Sequence, residues 1–424
     1  MLALIQDQNL LKQRWQRNQK YLESNIPIVQ KVLNRIREEG DSAVRAFTEQ
    51  FDHVKITGFR VPVDRLKQAE EGLSTSLKSF ILEAGENIRR FHELQQPAGY
   101  ALEQPDGTQV EFRWRPIERI GVYIPGGRFP LFSTVLMNVI PAQVAGVSKI
   151  AICTPPGKNG WPSDVIQAAC FLLGVTEVYR VGGVQAIGAL TYGTESIPAV
   201  DKITGPGNVY VAAAKQAVSA VVGIDMISGP TELIIIADDE ADPSKIAVEL
   251  ISQAEHDPQA LPVLLTDSET VARDVNELLP TFLKDLPTRH TAEQSLNKQG
   301  FIYLADTIEE CVEIANDLTP EHLSLMVREP ELWIDNVKAG AIFIGPDSPV
   351  AWGDYWAGTN HTLPTSGQAR TRGPLSVLDF MVPYSVIRIS KQSLRNSGKK
   401  VISLAEAEGL FGHAQSIALR RENA

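Results

Sequence analysis

Apolar positions along the 424-residue chain change period. From Ile26 to Phe51 they recur at helical spacing, broken at Gly40, where Asp41 can cap a second helix. A second amphipathic stretch runs from Ser74 to Gln96, with Ile81, Ile88 and Phe91 on one face. At Arg119 the pattern changes to short apolar runs that end in glycine or proline and lead into helical spacing. RIGVYIPGG, KIAICTPPG, TEVYRVGG and DKITGPGN are such strand-to-turn units. A further series starts at LIIIAD (233–238) and continues through PVLLTD, FIYLAD and AIFIG, with helix-length stretches between them. Strands alternating with helices at this spacing imply βαβ units and parallel sheets.

The expected fold class is therefore α/β, with two Rossmann-like parallel-sheet domains side by side and no GxGxxG fingerprint. The chain exceeds what one core usually sustains. A boundary falls near Glu232: residues 124–232 form one domain, and residues 22–123 together with 233–375 form the other. Small helical appendages complete the chain. Residues 1–21 read as an isolated polar–apolar helix. Residues 376–424 return to helical pattern, notably in SLAEAEGLFGHAQSIALR.

Composition narrows the partners. A net charge of -11 repels phosphate backbones and argues against nucleic acid. Lys12, Arg14, Arg17 and Lys20 are helically spaced and read as a solvated face. Cys153, Cys170 and Cys311 include no CxxC, so neither a disulfide framework nor a thiolate zinc site is expected, and a reducing cytoplasm fits. No apolar run approaches the ~20 residues of a membrane span. The N-terminus, MLALIQDQNLLKQRW, lacks the basic and apolar regions of a signal peptide.

Candidate chemistry gathers at a few places. PGG (125–127), VGG (181–183) and GPGN (205–208) put glycine directly after strands, where backbone can approach a ligand and the next helix N-terminus attracts anions. Tight turns use glycine anyway, so spacing alone does not decide for a nucleotide. Gln253 and His256 share a helix face and could bind a metal, although spacing does not favour Gln253 over Glu255. Glu321-His322 reads either as a general base with a proton shuttle or as a hydrogen-bonded loop pair, which composition alone favours. WGDYWAGTNHTLPT (352–365) is aromatic and aperiodic. Its Asp354 can be a ligand or a cap, and its His361 a ligand or a partner. HExxH and GxSxG are absent, so neither a zincin protease nor a serine hydrolase is suggested.

Together the stretches GVYIPGG, PLFSTVLMNVIPAQVAG, RVGGVQAIGALTYGTESIP, KITGPGNVYV, ISQAEHDP, LTPEHLSL, GDYWAGTNHTLPTSG and EGLFGHA resemble the histidinol dehydrogenase family over almost the entire chain. The resemblance implies a cytoplasmic, NAD-dependent, zinc-containing homodimer. It would oxidise L-histidinol to L-histidine through a retained aldehyde, the last step of histidine biosynthesis. It places one zinc per subunit on Gln253, His256, Asp354 and His413, and the catalytic pair on Glu321 and His322. NAD contacts fall on Tyr123, Gln185 and Asn208. Substrate contacts fall on the zinc set and His322, with Thr231, His361 and Glu408 added. Glu408 and His413 would come from the neighbouring subunit. Such a mixed nitrogen and oxygen site could also accept manganese or cobalt. Two positions depart from the family pattern. Thr231 stands where serine is more frequent, and Val350 where glutamate is common, which removes a charge near Asp354. Relatives acting on sulfonated diols and non-catalytic binding relatives are the rival readings, and the intact Glu321-His322 pair opposes the second.

Overall fold

The computed structural model of the chain describes residues 2–15 and 17–422. Two parallel sheets organise it, as the alternation of strands and helices predicts. The strands Ala3–Ile5, Phe301–Leu304, Leu261–Thr266, Glu232–Ala237, His322–Met326 and Ala341–Ile344 form a six-stranded sheet in that spatial order. Val178–Tyr179, Lys149–Cys153, Arg119–Tyr123, Lys202–Thr204 and Gly223–Ile224 form a five-stranded one. The central strands ELIIIA and LPVLLT are buried along their whole length, because helices cover both faces. Each sheet has an apolar cluster on either side.

Three features differ from the sequence reading. The N-terminus is not an isolated helix. Ala3–Ile5 pairs with Phe301–Tyr303 at the sheet edge, and Leu2 and Ile5 are buried. A strand this short has no visible period, and its burial comes from the partner strand. Helix Gln8–Trp15 then seats Leu11 and Trp15 in the same core. The side chains of Arg14, Arg17 and Lys20 lie outside the described residues, while Lys12 pairs with Asp317 at 3.1 Å.

The domain division also shifts. Arg119–Tyr123 is the middle strand of the five-stranded sheet, and the helices before it pack there too. Val29, Leu33, Ile36, Val44 and Phe47 meet Ile187, Leu190 and Val211 in one cluster, while Ile81 and Ile88 meet Ile140 in another. Residues 22–123 therefore belong with 124–224 rather than with the six-stranded sheet. Phe91 is exposed, unlike Ile81 and Ile88. Gly40, at φ 55, is the N-cap that Asp41 was expected to provide.

The tail is not wholly helical. Met381–Arg388 joins Gln109–Pro116 and Tyr100–Glu103 in a three-stranded antiparallel sheet. Most residues of these strands are exposed, so no clean alternation marks them. Beyond it, helices Lys391–Ala407 and Phe411–Glu422 pack chiefly on each other, with Leu404 and Phe411 exposed. Among the described residues no helix is long and apolar enough to cross a membrane.

Candidate active site

The Glu321–His322 pair sits at the start of the strand His322–Met326, beside the start of Glu232–Ala237. Both side chains are buried. The Thr231 hydroxyl donates to Glu321 Oε2 at 2.6 Å, and the Glu232 N–H donates to the same oxygen at 2.9 Å. Burial raises the Glu321 carboxyl above its ordinary range, against the opposing pull of His322 and these two hydrogen bonds. His322 Nδ1 lies 2.9 Å from the Glu232 carbonyl oxygen. A carbonyl only accepts, so Nδ1 carries the proton and the lone pair is left on Nε2. That is the tautomer of a proton acceptor, and an elevated carboxyl suits the companion base.

Helix Pro243–Ala254 begins at Asp242, whose side chain accepts from Ser244 N at 2.8 Å, and ends beside this pair. Gln253 Nε2 donates to Thr231 Oγ1, whose own proton goes to Glu321. Oε1 is then the Gln253 atom left for an electron-poor ligand. Glu255 instead accepts from Thr288 Oγ1, so the geometry distinguishes the two residues that spacing could not. His256, exposed, follows the helix end. Asp354 lies in the short helix Val350–Tyr355, so the stretch is less irregular than its sequence, and its Oδ1 is 3.7 Å from His361 Nδ1. Burial lowers His361, Asp354 raises it by its charge and a backbone hydrogen bond, and the charges of His322 and His256 lower it.

This donor set is nitrogen and oxygen only, at the negative pole of a helix C-terminus, and it fits a borderline divalent cation such as zinc. Among the described residues, no three His, Cys, Asp or Glu side chains gather in metal-binding geometry within the chain. His413 and Glu408 are exposed on the tail helices and are not brought into the cluster. All three cysteines are free and buried, away from this set. Near Asp354, the buried Glu249 carboxylate accepts from Val350 N at 2.7 Å, so a carboxyl remains beside the position where Val350 carries none.

The five-stranded sheet gathers the glycine turns at its strand C-terminal ends. Tyr123 is buried, and its hydroxyl accepts from Gly183 N at 3.1 Å. Gln185 is buried on the next helix and donates to Asp52 Oδ2 at 3.0 Å. Asn208 caps helix Val209–Val218, accepting from Tyr210 N and Val211 N at 3.1 and 3.2 Å. Gly205 has φ +104, and a Cβ there would lie 2.1 Å from the Tyr123 carbonyl oxygen, so only glycine fits. The Gly205 N–H donates to Asp225 Oδ2 at 2.7 Å, its carbonyl accepts from Lys215 Nζ at 3.1 Å, and Lys215 and Asp225 form a buried ion pair.

Sequence reading missed Glu232, Asp52, Lys215 and Asp225. A glutamate opening the otherwise apolar ELIIIA was the one visible signal, and the other three lie in ordinary helix ends and turns.

Together with the family match, the fold defines an oxidoreductase of the α/β class. The chain belongs to the histidinol dehydrogenase family, whose sequence model matches residues 15–421. It is 44% identical over 414 residues to histidinol dehydrogenase of Parasynechococcus marenigrum, covering 97% of this chain and 94% of that one. Histidinol dehydrogenase of Methanothermobacter thermautotrophicus is 45% identical over 390 residues, with 92% of each chain covered. The crystal structure of histidinol dehydrogenase from Elizabethkingia anophelis superposes with a TM-score of 0.90 at 37% identity, covering 100% of this chain and 98% of that one.

Proposed function

We propose that the chain oxidises L-histidinol to L-histidine through L-histidinal, using two NAD per turnover, as the last step of histidine biosynthesis. The observation that carries this reading is the buried Glu321–His322 pair, with its His322 Nε2 lone pair free, beside Gln253, His256 and Asp354. His322 Nε2 accepts the alcohol proton as the carbinol carbon gives up hydride. Glu321 then activates the water that adds to the aldehyde, and the hydrate gives up the second hydride. Gln253, His256 and Asp354, with the partner subunit's His413, would hold zinc, which would supply Lewis-acid positioning of the substrate. Thr231, His361 and the partner subunit's Glu408 complete the substrate pocket. Tyr123, Gln185 and Asn208 line the NAD site, where two helix N-termini favour its pyrophosphate.

The exposed Leu404, Leu410 and Phe411 beside His413 support a homodimer in which the tail covers a neighbouring site. A cytoplasmic setting suits three buried, unpaired cysteines. The test is stoichiometric. With limiting histidinol, the chain should form two NADH for each molecule consumed. A ratio of one, with free aldehyde accumulating, would overturn the four-electron reading.

A further inference from the structure

We infer that Glu232 is a positioning residue for both members of the acid–base pair, an inference that rests on the functional reading above. Its contacts are unusually complete. The Glu232 N–H donates to Glu321 Oε2 at 2.9 Å, and its carbonyl holds His322 Nδ1–H at 2.9 Å. Its side chain reaches back to the same pair, with Oε2 accepting from Glu321 N at 3.3 Å. The other oxygen, Oε1, accepts from Ser366 N at 3.0 Å. Ser366, at φ 56, ends the segment that carries His361. The Glu232 backbone aims the base and fixes the tautomer of the proton acceptor, and its side chain ties the Glu321 backbone to the substrate loop.

The residue is only 1% exposed, and among the described residues no cation pairs with it. A buried carboxyl in the most protected layer of a site is an expensive way to fill a strand start, where a leucine would pack as well. Its two oxygens meet two backbone N–H groups from different segments. Neither N–H belongs to a strand ladder: Glu321 lies one residue ahead of the paired strand His322–Met326, and Ser366 lies in no strand. Glutamate is the side chain with both the reach and the pair of acceptors. Burial, and then the Glu321 charge, push its carboxyl up to about 8, against the two backbone hydrogen bonds. The groups acting on the neighbouring Glu321 are His322, which lowers it, and Asp354, which raises it.

The test compares Glu232→Gln and Glu232→Ala with the native enzyme, by steady-state kinetics against pH and by thermal unfolding. In Glu232→Gln one acceptor becomes an amide donor facing a backbone N–H. We expect kcat to fall roughly 100-fold, as for a displaced catalytic group, with KM for NAD unchanged. The native kcat profile should carry an inflection near pH 8 that Glu232→Gln lacks. Glu232→Ala should lose at least as much activity where it folds. The inference is overturned if Glu232→Gln keeps native kcat and pH profile. It is also overturned if kcat and both KM values worsen in proportion to lost stability, with the inflection intact. Failure of the functional reading shows differently, as a native enzyme that forms no NADH from histidinol.

Discussion

The two parallel sheets use opposite edges. On the five-stranded sheet the glycine turns lie at the strand C-terminal ends and run straight into helix N-termini at Gly183 and Val209. On the six-stranded sheet the chemistry lies at the strand N-terminal ends: Thr231 and Glu232 at one, Glu321 and His322 at the next. Helix Pro243–Ala254 arrives there with its C-terminus. Dipole signs follow. The first edge offers backbone N–H groups to an anion, and the second offers carbonyl and carboxylate oxygens to a cation. A dinucleotide suits the first, and a metal with an aminated substrate suits the second. The first edge is shaped by backbone and the second by side chains, so substitutions should act differently at each.

The largest effect is expected where the backbone edge is pinned. Lys215 and Asp225 are almost fully buried and grip both sides of Gly205. Asp225→Ala leaves Lys215 charged with no partner, which costs about 3–5 kcal/mol in such settings. We expect a loss of that size in urea unfolding, with NAD binding weakened in whatever remains folded. A loss below about 1 kcal/mol would show that the pair does not hold the turn.

The side-chain edge should separate chemistry from stability. Glu321→Gln keeps the shape but removes the base, so oxidation of supplied histidinal should slow about 100- to 10,000-fold. Unfolding should be unchanged or slightly later, because a buried carboxyl raised by desolvation is removed. Oxidation of histidinal should be slowed at least as much as oxidation of histidinol. Normal aldehyde turnover would reject Glu321 as the base.

What the sequence made legible follows the same division. Strand-to-glycine units announce the backbone edge, because tight turns need particular residues at fixed places. RVGG and KITGPGN predicted both their strands and the helices that follow them. The side-chain edge showed in the sequence as ambiguous candidates, Gln253 with His256, Glu321 with His322, and Asp354 with His361, whose roles only the family resemblance assigned. Its residues come from segments scattered from Thr231 to His361, and no local rule links them. Glu232 illustrates the limit: its role depends on Glu321 and Ser366, far along the chain. The domain boundary was misread for a similar reason. Helical spacing shows that residues 26–51 have an apolar face, but not which sheet will cover it. The antiparallel sheet left no mark because its faces are largely exposed.

The smallest effect tests the carboxyl beneath the backbone edge. Asp52 is the last residue of helix Asp41–Asp52, where the helix dipole disfavours a negative charge. Its carboxyl accepts from Gln185 and lies against Gly182, where a Cβ would come within 3.3 Å of Oδ1. Burial pushes it from 3.8 up to about 6, with the Gln185 hydrogen bond and His53 opposing. The folded state therefore holds a proton that the unfolded chain has released. Stability from this group is fully present below pH 3.8 and is lost as pH rises through about 6. The pKa difference corresponds to at most about 3 kcal/mol, and partial exposure reduces the expected effect to about 1–2 kcal/mol. Asp52→Asn keeps an oxygen for Gln185 and removes the charge. It should therefore unfold like the native chain near pH 4 and be more stable by that amount at pH 8. NAD affinity should hardly change, because the turn above it is shaped by backbone. A stability gap that stays constant from pH 4 to pH 8 would mean that Asp52 does not titrate as its burial implies. A large loss of NAD affinity would mean that this edge depends on the Asp52 charge as well as on the Lys215–Asp225 pair.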